Sequence, residues 1–304
     1  MENNHIFYKV GLDRQGQRVD NALMAFNRSI PKGLIYRSIR KGAVRVNDSK
    51  VKQEYRLQEG DILRYPIWSA DSKDNEVVLN QALLTLIANS VLYQDDNVLV
   101  LNKPQGVVCQ KGSKSPVCLQ DYLSEIYPGV SWHLTHRLDK DTSGVLVLAK
   151  NVASARWVSG QFLKGAVKKR YWALVDGIWR KQGWHKVSFP ILKKNNQAYA
   201  IISDQGKEAV SYFRVLKKSS ESSLMEVRID TGRTHQIRVH ANHIGYPLLG
   251  DKKYYSSSPQ SFYFLHARSL KIVLPQESSY SSFTAPLDKS VSSILKERGL
   301  LIEG

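Results

Sequence analysis

The stretch His136–Lys150, HRLDKDTSGVLVLAK, constrains the fold of this 304-residue chain more than any other. Its first half is crowded with charged and hydroxyl side chains, and Gly144 then opens the apolar run Val145–Ala149. The length and β-branched content of that run indicate a buried strand. The sequence therefore predicts a polar loop held at the edge of a sheet, where binding and catalytic residues are commonly found.

Asp139 is the residue of this loop that the sequence singles out. In an isolated HRLD motif, an aspartate before Thr-Ser-Gly indicates ordinary turn chemistry, in which the carboxylate accepts backbone N–H groups. The whole string is much more specific than that short motif. It resembles the signature of the large-subunit branch of the pseudouridine synthases, and the resemblance implies that Asp139 is the catalytic residue.

The charge of the chain favours a polyanionic partner. It contains 44 Lys and Arg against 27 Asp and Glu, which gives a formal net charge of +17. Nucleic acid is the simplest partner for such a balance. A solubility charge spread evenly over the surface would give the same total, but the basic residues of this chain are clustered.

Composition also disfavours several classes of protein. Two cysteines, Cys109 and Cys118, supply neither a disulfide framework nor a four-ligand zinc site. The first residues, Met-Glu-Asn-Asn, lack the basic and apolar segments of a signal peptide. No apolar run approaches the ~20 residues that a membrane helix needs. We therefore expect a cytoplasmic protein with no membrane contact.

Residues 1–66 predict a small unit of their own. Apolar residues at helical spacing predict two helices, of which the second begins at Pro31 and ends before Gly42. Short strands are predicted at 44–46 and 62–65, with an Asn-Asp turn after the first. Two helices followed by short strands make a very small domain.

A run of basic residues crosses this unit, and Asp48 is the only acidic residue between positions 28 and 52. On one helix such a run is usually a solvated face. Here it continues through a turn into strands, which suits contact with a phosphate backbone. Residues 16–66 are similar to an S4 domain, a small RNA-binding module. The RNA-binding residues expected in it are Arg28, Lys32, Arg37, Arg40, Lys41 and Arg45.

The rest of the chain predicts an α+β fold. Residues 67–84 are polar at first and without period, and we expect a linker there; residues 85–304 would form the catalytic domain. The predicted architecture is a mixed, mostly antiparallel sheet with peripheral helices, preceded by the small S4-like RNA-binding domain. Helices are predicted at 119–127, 153–164 and 234–244, strands at 98–101, 145–149, 171–175, 198–202, 211–215 and 224–229, and a hairpin turn at 217–223.

Two further motifs resemble the synthase family, in the same chain order. Lys168–Ala173 enters a strand, and Thr231–His240 runs into a predicted helix. The resemblance covers nearly the whole chain and implies that a uridine within RNA is isomerised: the glycosidic N–C bond breaks and C5 joins the sugar. Such a reaction needs no cofactor, and the sequence contains no Gly-rich phosphate loop and no dinucleotide fingerprint.

The resemblance also implies a role for each site residue. Asp139 would act as nucleophile or base, at a position on the uridine that the sequence leaves open. Tyr171 would stack on the uracil, although a strand tyrosine can equally be core. Arg238 would pair with Asp139 and keep it ionised; the alternative, a phosphate clamp, is also open to Arg233. Arg137 would fill the place of a flipped nucleotide. The RNA-binding residues of this domain are then Arg137, Arg233 and His235.

Other functions fit the sequence less well. A metallohydrolase could use His235, His240 and His243, but no HExxH arrangement accompanies them, so we expect no metal. A glycosidase needs two carboxylates facing each other across a substrate, and Asp139 and Asp141 are neighbours in one turn. A non-catalytic RNA-binding protein and a sister synthase acting on tRNA or another ribosomal site remain alternatives. We expect 23S rRNA as substrate and a monomeric enzyme.

Overall fold

The chain folds into two compact units, Met1–Val78 and Leu79–Gly304, and each is described by itself. The first contains the basic run and the second contains the Asp139 loop. This computed structural model describes residues 5–26, 30, 32–68, 79–111, 115–194, 199–255 and 262–302.

The first unit packs two helices on a four-stranded sheet with strand order β1-β4-β2-β3. Its core is built from apolar residues of both helices and of the sheet, among them Leu23, Ile35 and Leu63. Asn47 and Asp48 both have positive φ, at 49° and 60°, and form the two-residue turn of a hairpin. The elements are β1 (His5–Lys9), a 3-10 helix (Leu12–Arg14), α1 (Val19–Phe26), α2 (Lys32–Lys41), β2 (Arg45–Val46), β3 (Ser49–Lys50) and β4 (Ile62–Pro66).

The second unit is built on one large sheet. Its main path runs in the order β10-β13-β14-β9-β15-β8-β6-β5, with β7 paired to β8 and β16 paired to β15, and β11 pairs with β12 separately. The elements are α3 (Gln81–Ala88), β5 (Val91–Gln94), β6 (Val98–Lys103), α4 (Leu119–Ile126), β7 (His133–Leu134), β8 (Ser143–Ala149), α5 (Val152–Leu163), β9 (Lys168–Asp176), β10 (His185–Ser188), β11 (Ile191–Lys193), β12 (Ala200–Ile202), β13 (Val210–Lys218), β14 (Ser222–Ile229), α6 (Gln236–His243), β15 (Leu265–Ile272), β16 (Ser281–Thr284) and α7 (Lys289–Glu297).

The sheet is mixed and mostly antiparallel. Among the strand pairs of the described residues, β8 and β15 run parallel, and the others are antiparallel. Together with the helices at its periphery, this arrangement confirms the predicted α+β class.

Strand β8 lies between two layers of core. Leu146 and Leu148 pack into one apolar cluster, and Val145 and Val147 pack into a second cluster on the other face of the sheet. A strand buried on both faces reads as a continuous apolar run, which is what the sequence contains. This rigid strand anchors the polar loop that precedes it.

Some predicted boundaries differ from the structure. The expected linker, 67–84, falls partly on residues 69–78, which lie outside the described residues, and its last four residues belong to α3. The expected turn at 217–223 is shorter, because β13 continues to Lys218 and β14 begins at Ser222. The polar composition of the tract does not end the strands, because Lys217 pairs with Leu224 and Lys218 pairs with Ser223.

Candidate active site

The loop between β7 and β8 carries Asp139, and backbone hydrogen bonds hold it against the segment that follows β6. The Thr142 N–H donates to the Asp139 carbonyl at 3.1 Å, which closes a turn. The Gly106 N–H donates to the Lys140 carbonyl at 2.9 Å. The loop conformation is therefore fixed from within and from a neighbouring segment.

Lys103, the last residue of β6, adds a buried cation to this attachment. Its side chain is fully buried, and Nζ donates to the carbonyls of Pro104 and Val107 at 2.8 Å and of Lys140 at 3.2 Å. Burial lowers the pKa of Lys103 to about 8, against the opposing effect of nearby anionic groups that include Asp139. Sequence reasoning assigned Lys103 no role, and its one signal was a lysine ending an apolar strand directly before a proline.

Asp139 lies beside two nitrogen-bearing side chains of the Thr231–His240 motif. Its Oδ2 is 3.8 Å from Nη1 of Arg238 and 3.9 Å from Nε2 of His235, and its side chain is 33% exposed. These distances exceed normal hydrogen-bond lengths. The carboxylate is thus held in a favourable field while it remains accessible from the solvent side.

Arg238 is oriented mainly by a different carboxylate. Its Nε and Nη2 donate to Asp251 at 2.8 and 2.6 Å, a two-point contact between buried groups. The rings of Tyr254 and Tyr263 lie 5.1 and 5.5 Å from the guanidinium carbon. Burial alone would lower the pKa of Arg238, but the hydrogen bonds to Asp251 and the charges of neighbouring groups, Asp139 among them, together outweigh burial, so the net pKa is raised. Arg238 therefore contacts two carboxylates, and its contact with Asp139, the predicted partner, is the longer of the two.

His235 is the N-cap residue that precedes α6 and has a left-handed conformation, with φ of 55°. Its Nδ1 lies 2.7 Å from the Tyr254 hydroxyl, which accepts a hydrogen bond from the Ala200 N–H at 3.0 Å. The tyrosine proton is therefore directed to Nδ1, and we assign the ring proton to Nε2, which faces Asp139. Burial lowers the pKa of His235 to about 4, so the ring is neutral near pH 7.

Tyr171 stands on β9 and faces an open cleft of about 900 Å³. Burial raises the pKa of its hydroxyl, and the negative charge of Asp139 raises it further. The phenol therefore keeps its proton at neutral pH. The polar side chains that line the cleft include Asp139, Tyr171, Arg137, Arg233, His136 and Lys169.

His136 connects the loop to the sheet. Its Nε2 accepts a hydrogen bond from the Val147 N–H at 3.0 Å, and its ring stacks on Phe162 with centroids 4.3 Å apart. Burial lowers the pKa of His136 to about 3, with a smaller contribution from Lys169. These contacts of the neutral imidazole fix His136, and with it the position of the loop backbone directly before Arg137.

The sequence profile of the RNA pseudouridylate synthases matches residues 97–243, the region that contains Asp139, Tyr171 and Arg238. The ribosomal large subunit pseudouridine synthase C of Vibrio parahaemolyticus is 34% identical over 300 residues, which cover 95% of each chain. That of Buchnera aphidicola subsp. Acyrthosiphon pisum is 37% identical over 287 residues, 90% of each chain. The chain belongs to the RNA pseudouridylate synthase family. It is an RNA-modifying isomerase.

Solved structures agree with this placement of the synthase. Human RNA Pseudouridylate Synthase Domain Containing 4 superposes with a TM-score of 0.62 at 27% identity, over 73% of this chain and 98% of that one. Human RNA Pseudouridylate Synthase Domain Containing 1 gives 0.54 at 25% identity, over 71% and 96%. The large mixed sheet of the synthase is therefore the family fold.

The remaining predicted RNA-binding residues of the synthase fall into two groups. Arg137 and Arg233 are exposed at the cleft, and Arg233 Nε donates to the Glu208 carbonyl at 2.9 Å. Arg28 lies outside the described residues. The others belong to the first unit, in which Lys32, Arg37, Arg40 and Lys41 are exposed on α2 and Arg45 is half-buried.

The described residues also bear on metal binding and on membrane insertion. No group of three or more His, Cys, Asp or Glu side chains in that part of the synthase is placed to hold a metal ion. Within the same residues, no helix has both the length and the apolar character for crossing a membrane.

Proposed function

We propose that this synthase isomerises uridine to pseudouridine in the 23S rRNA of the large ribosomal subunit, with Asp139 as the catalytic carboxylate. The near full-length identity of 34–37% to enzymes named for the large subunit supports the substrate. The observation that carries the site is the position of Asp139: it lines an open cleft and remains accessible beside Arg238 and Tyr171.

The reaction requires the N1–C1′ bond to break and a C5–C1′ bond to form, after which the C5 proton is lost and a proton is taken up at N1. An ionised carboxylate can act at C1′ or at the base. Asp251 orients the guanidinium of Arg238, and its Nη1 lies 3.8 Å from Oδ2 of Asp139. His235 directs an N–H at the same oxygen without adding a full charge.

Tyr171 supplies a neutral phenol at the cleft. Its raised pKa keeps the hydroxyl protonated, so the ring can stack on uracil with an O–H at its edge. That hydroxyl is a candidate for moving the C5 proton. Arg137 projects from the same loop as Asp139 and is exposed, which suits a side chain that replaces a flipped nucleotide in a duplex.

The first unit, Met1–Val78, fits the role of an S4-like RNA-binding domain. Four of its predicted contact residues are exposed cations on one helix, α2. Such a surface would add affinity for the phosphate backbone without reading sequence. We further propose that the enzyme acts in the cytoplasm and as a monomer.

Pseudouridine mapping on an unmodified 23S rRNA transcript tests the proposal. We expect the wild-type protein to form pseudouridine at discrete sites, and Asp139→Asn to form none while it binds the RNA with nearly wild-type affinity. Asp141→Asn is the matched control, because it removes the same charge from an exposed position of the same loop and should remain active.

A tRNA transcript is included to separate the alternatives. Modification of tRNA alone would keep the chemistry and overturn the proposed substrate. Turnover by Asp139→Asn near the wild-type rate would remove Asp139 from its role. Binding of 23S rRNA without any modification by the wild-type protein would favour a non-catalytic role in ribosome assembly.

A further inference from the structure

A second basic surface lies on the face of the large sheet opposite to Tyr171. Side chains of neighbouring residues in a strand point to opposite faces. Tyr171 pairs with Val227, which pairs with Phe213, and this row faces the cleft side. Arg170 and Arg228, one position away on their strands, therefore project from the other face.

The strand register places several polar and cationic residues of this face in one row. Arg170 on β9 pairs with Ser269 on β15 and with Arg228 on β14. Arg228 pairs with Tyr212 on β13, and Tyr212 pairs with Lys186 on β10. At about 4.8 Å between strands, the row from Arg170 to Lys186 spans roughly 14 Å. It crosses four strands almost at right angles to them.

Aromatic and acidic neighbours hold the guanidinium groups of this face in place. The guanidinium carbon of Arg228 lies 4.1 Å from the Tyr212 ring centroid, and that of Arg214 lies 4.8 Å from the Trp184 centroid. Glu226, which is nearly buried, accepts hydrogen bonds from Arg170 at 2.9 Å and from Arg214 at 2.6 Å. The cations are thus preorganised. Their outer faces are open, since the side chains of Arg170, Arg214 and Arg228 are 48%, 41% and 45% exposed.

The face carries more positive charge than its own carboxylates neutralise. Arg170 and Arg228 are direct cross-strand neighbours, an arrangement of like charges that destabilises a sheet. Glu226 serves two arginines, and Asp230 is 3.9 Å from Arg228 in an exposed pair. Around the row, the carboxylates of Glu226 and Asp230 therefore face six cations, which are Arg170, Arg214, Arg228, Lys168, Lys186 and Lys271.

We propose that this row binds the phosphodiester backbone of a segment of the substrate RNA that lies outside the catalytic cleft. The inference rests on the proposed function in that RNA is the substrate. Arginines with planar, fixed guanidinium groups suit phosphate oxygens. The exposed ring of Trp184, at 38%, offers a stacking surface for an unpaired base beside them. Regions of the RNA remote from the target uridine would then contribute to affinity.

The double variant Arg228→Gln, Lys186→Gln tests the row without removing either partner of Glu226. The control variant Lys289→Gln, Lys296→Gln removes the same charge from exposed positions on α7. Binding to the unmodified 23S rRNA transcript is measured over a range of salt concentrations. Two lost phosphate contacts should reduce the slope of log affinity against log salt by about 1.4 to 1.8, and the control should not change it.

Steady-state kinetics on the same transcript provides a second readout. We expect the row variant to raise KM in proportion to its loss of affinity, with kcat unchanged, because its residues lie away from Asp139. A salt slope equal to that of the control would overturn the inference and assign the row to another partner, such as an acidic protein segment. A reduced kcat would also contradict it. If the wild type proved inactive on 23S rRNA, the proposed function would fail, while the binding slopes would still decide the inference.

Discussion

Arg238 illustrates how a single buried residue organises the site of this synthase. Its guanidinium has two carboxylate neighbours, one buried and bound at two points, the other partly exposed and 3.8 Å away. The buried partner, Asp251, fixes the direction of the side chain. The exposed one, Asp139, receives an oriented positive charge and keeps its oxygens free for substrate.

We expect Asp251→Asn to destabilise the second unit and to lower kcat. Removing one partner of a buried ion pair leaves an uncompensated charge, which costs about 3 to 5 kcal/mol of unfolding free energy. Urea denaturation and single-turnover kinetics measure the two effects. The control Asp230→Asn removes an exposed carboxylate, 52% accessible, and should cost less than about 0.5 kcal/mol. Equal stability of the two variants would contradict this account of Arg238.

At the scale of residues, the sequence indicates the site residues that lie within family motifs, but it does not indicate which other residues contact them. Asp139, Tyr171 and Arg238 are predicted in this way, and the structure places them around one cleft and its border. Asp251 was visible in the string LLGDKKYY, but nothing in it indicates a contact with Arg238. Tyr254 stands in the same string, but its contacts to His235 and to Ala200 are tertiary and are equally absent from the sequence.

At the scale of elements, two backbones of the large sheet approach each other very closely at Gly144, where β8 meets β15. Gly144 has φ of 109°, and a Cβ there would lie 2.3 Å from the Ala267 carbonyl oxygen. Ala267 is its partner in the parallel pairing of these strands. A backbone atom cannot move aside as a flexible side chain can, so this position requires glycine.

Gly144→Ala should therefore destabilise the fold by about 3 kcal/mol, from overpacking and from a backbone conformation that alanine rarely adopts. The matched control is Gly160→Ala in α5. Apart from the helix's own backbone, no atom would lie within 4 Å of a Cβ at this position, and alanine favours a helix. That variant should be neutral or stabilised by about 0.5 to 1 kcal/mol. Thermal unfolding compares the two, and similar melting temperatures would refute the role of Gly144.

Elements with a clear period were predicted well. The apolar spacing of α1 and α2 and the continuous apolar run of β8 have local causes that one sequence displays. Strand β15 was not predicted, because its alternation breaks at the adjacent polar residues Arg268 and Ser269, where the pairing with β9 also shifts register. Helix α7 begins with Asp288 as its N-cap, but its Ser-rich composition resembles a loop.

At the scale of the whole molecule, the fold of the second unit lowers the pKa of several of its histidines. Burial lowers the pKa of His136 to about 3 and of His235 and His266 to about 4. It also lowers the pKa of His240, which hydrogen-bonds to Ser211 and to the Phe189 carbonyl. In the unfolded chain, each would have a pKa near 6.5.

These histidines should make the protein labile in mild acid. Below about pH 6.5 the unfolded chain binds protons that the folded chain does not, so stability is fully present above that pH and is lost as pH falls toward 4. Each histidine contributes a slope of up to about 1.4 kcal/mol per pH unit. Urea titrations at pH 7, 6 and 5 measure the total, and His266→Gln should remove the share of one histidine. A free energy of unfolding that is constant over this range would disprove the prediction.

The pairing of β8 with β15 has a consequence for the time at which the enzyme becomes active during its own synthesis. Ser143, at the start of β8, hydrogen-bonds to His266, which follows it by 123 residues. At about 5 to 20 residues per second, a ribosome needs roughly 6 to 25 seconds to add that stretch. Throughout that interval a nascent chain carries the Asp139 loop without the strand that supports it. Asp139, the proposed catalytic carboxylate, is thus translated early and positioned late.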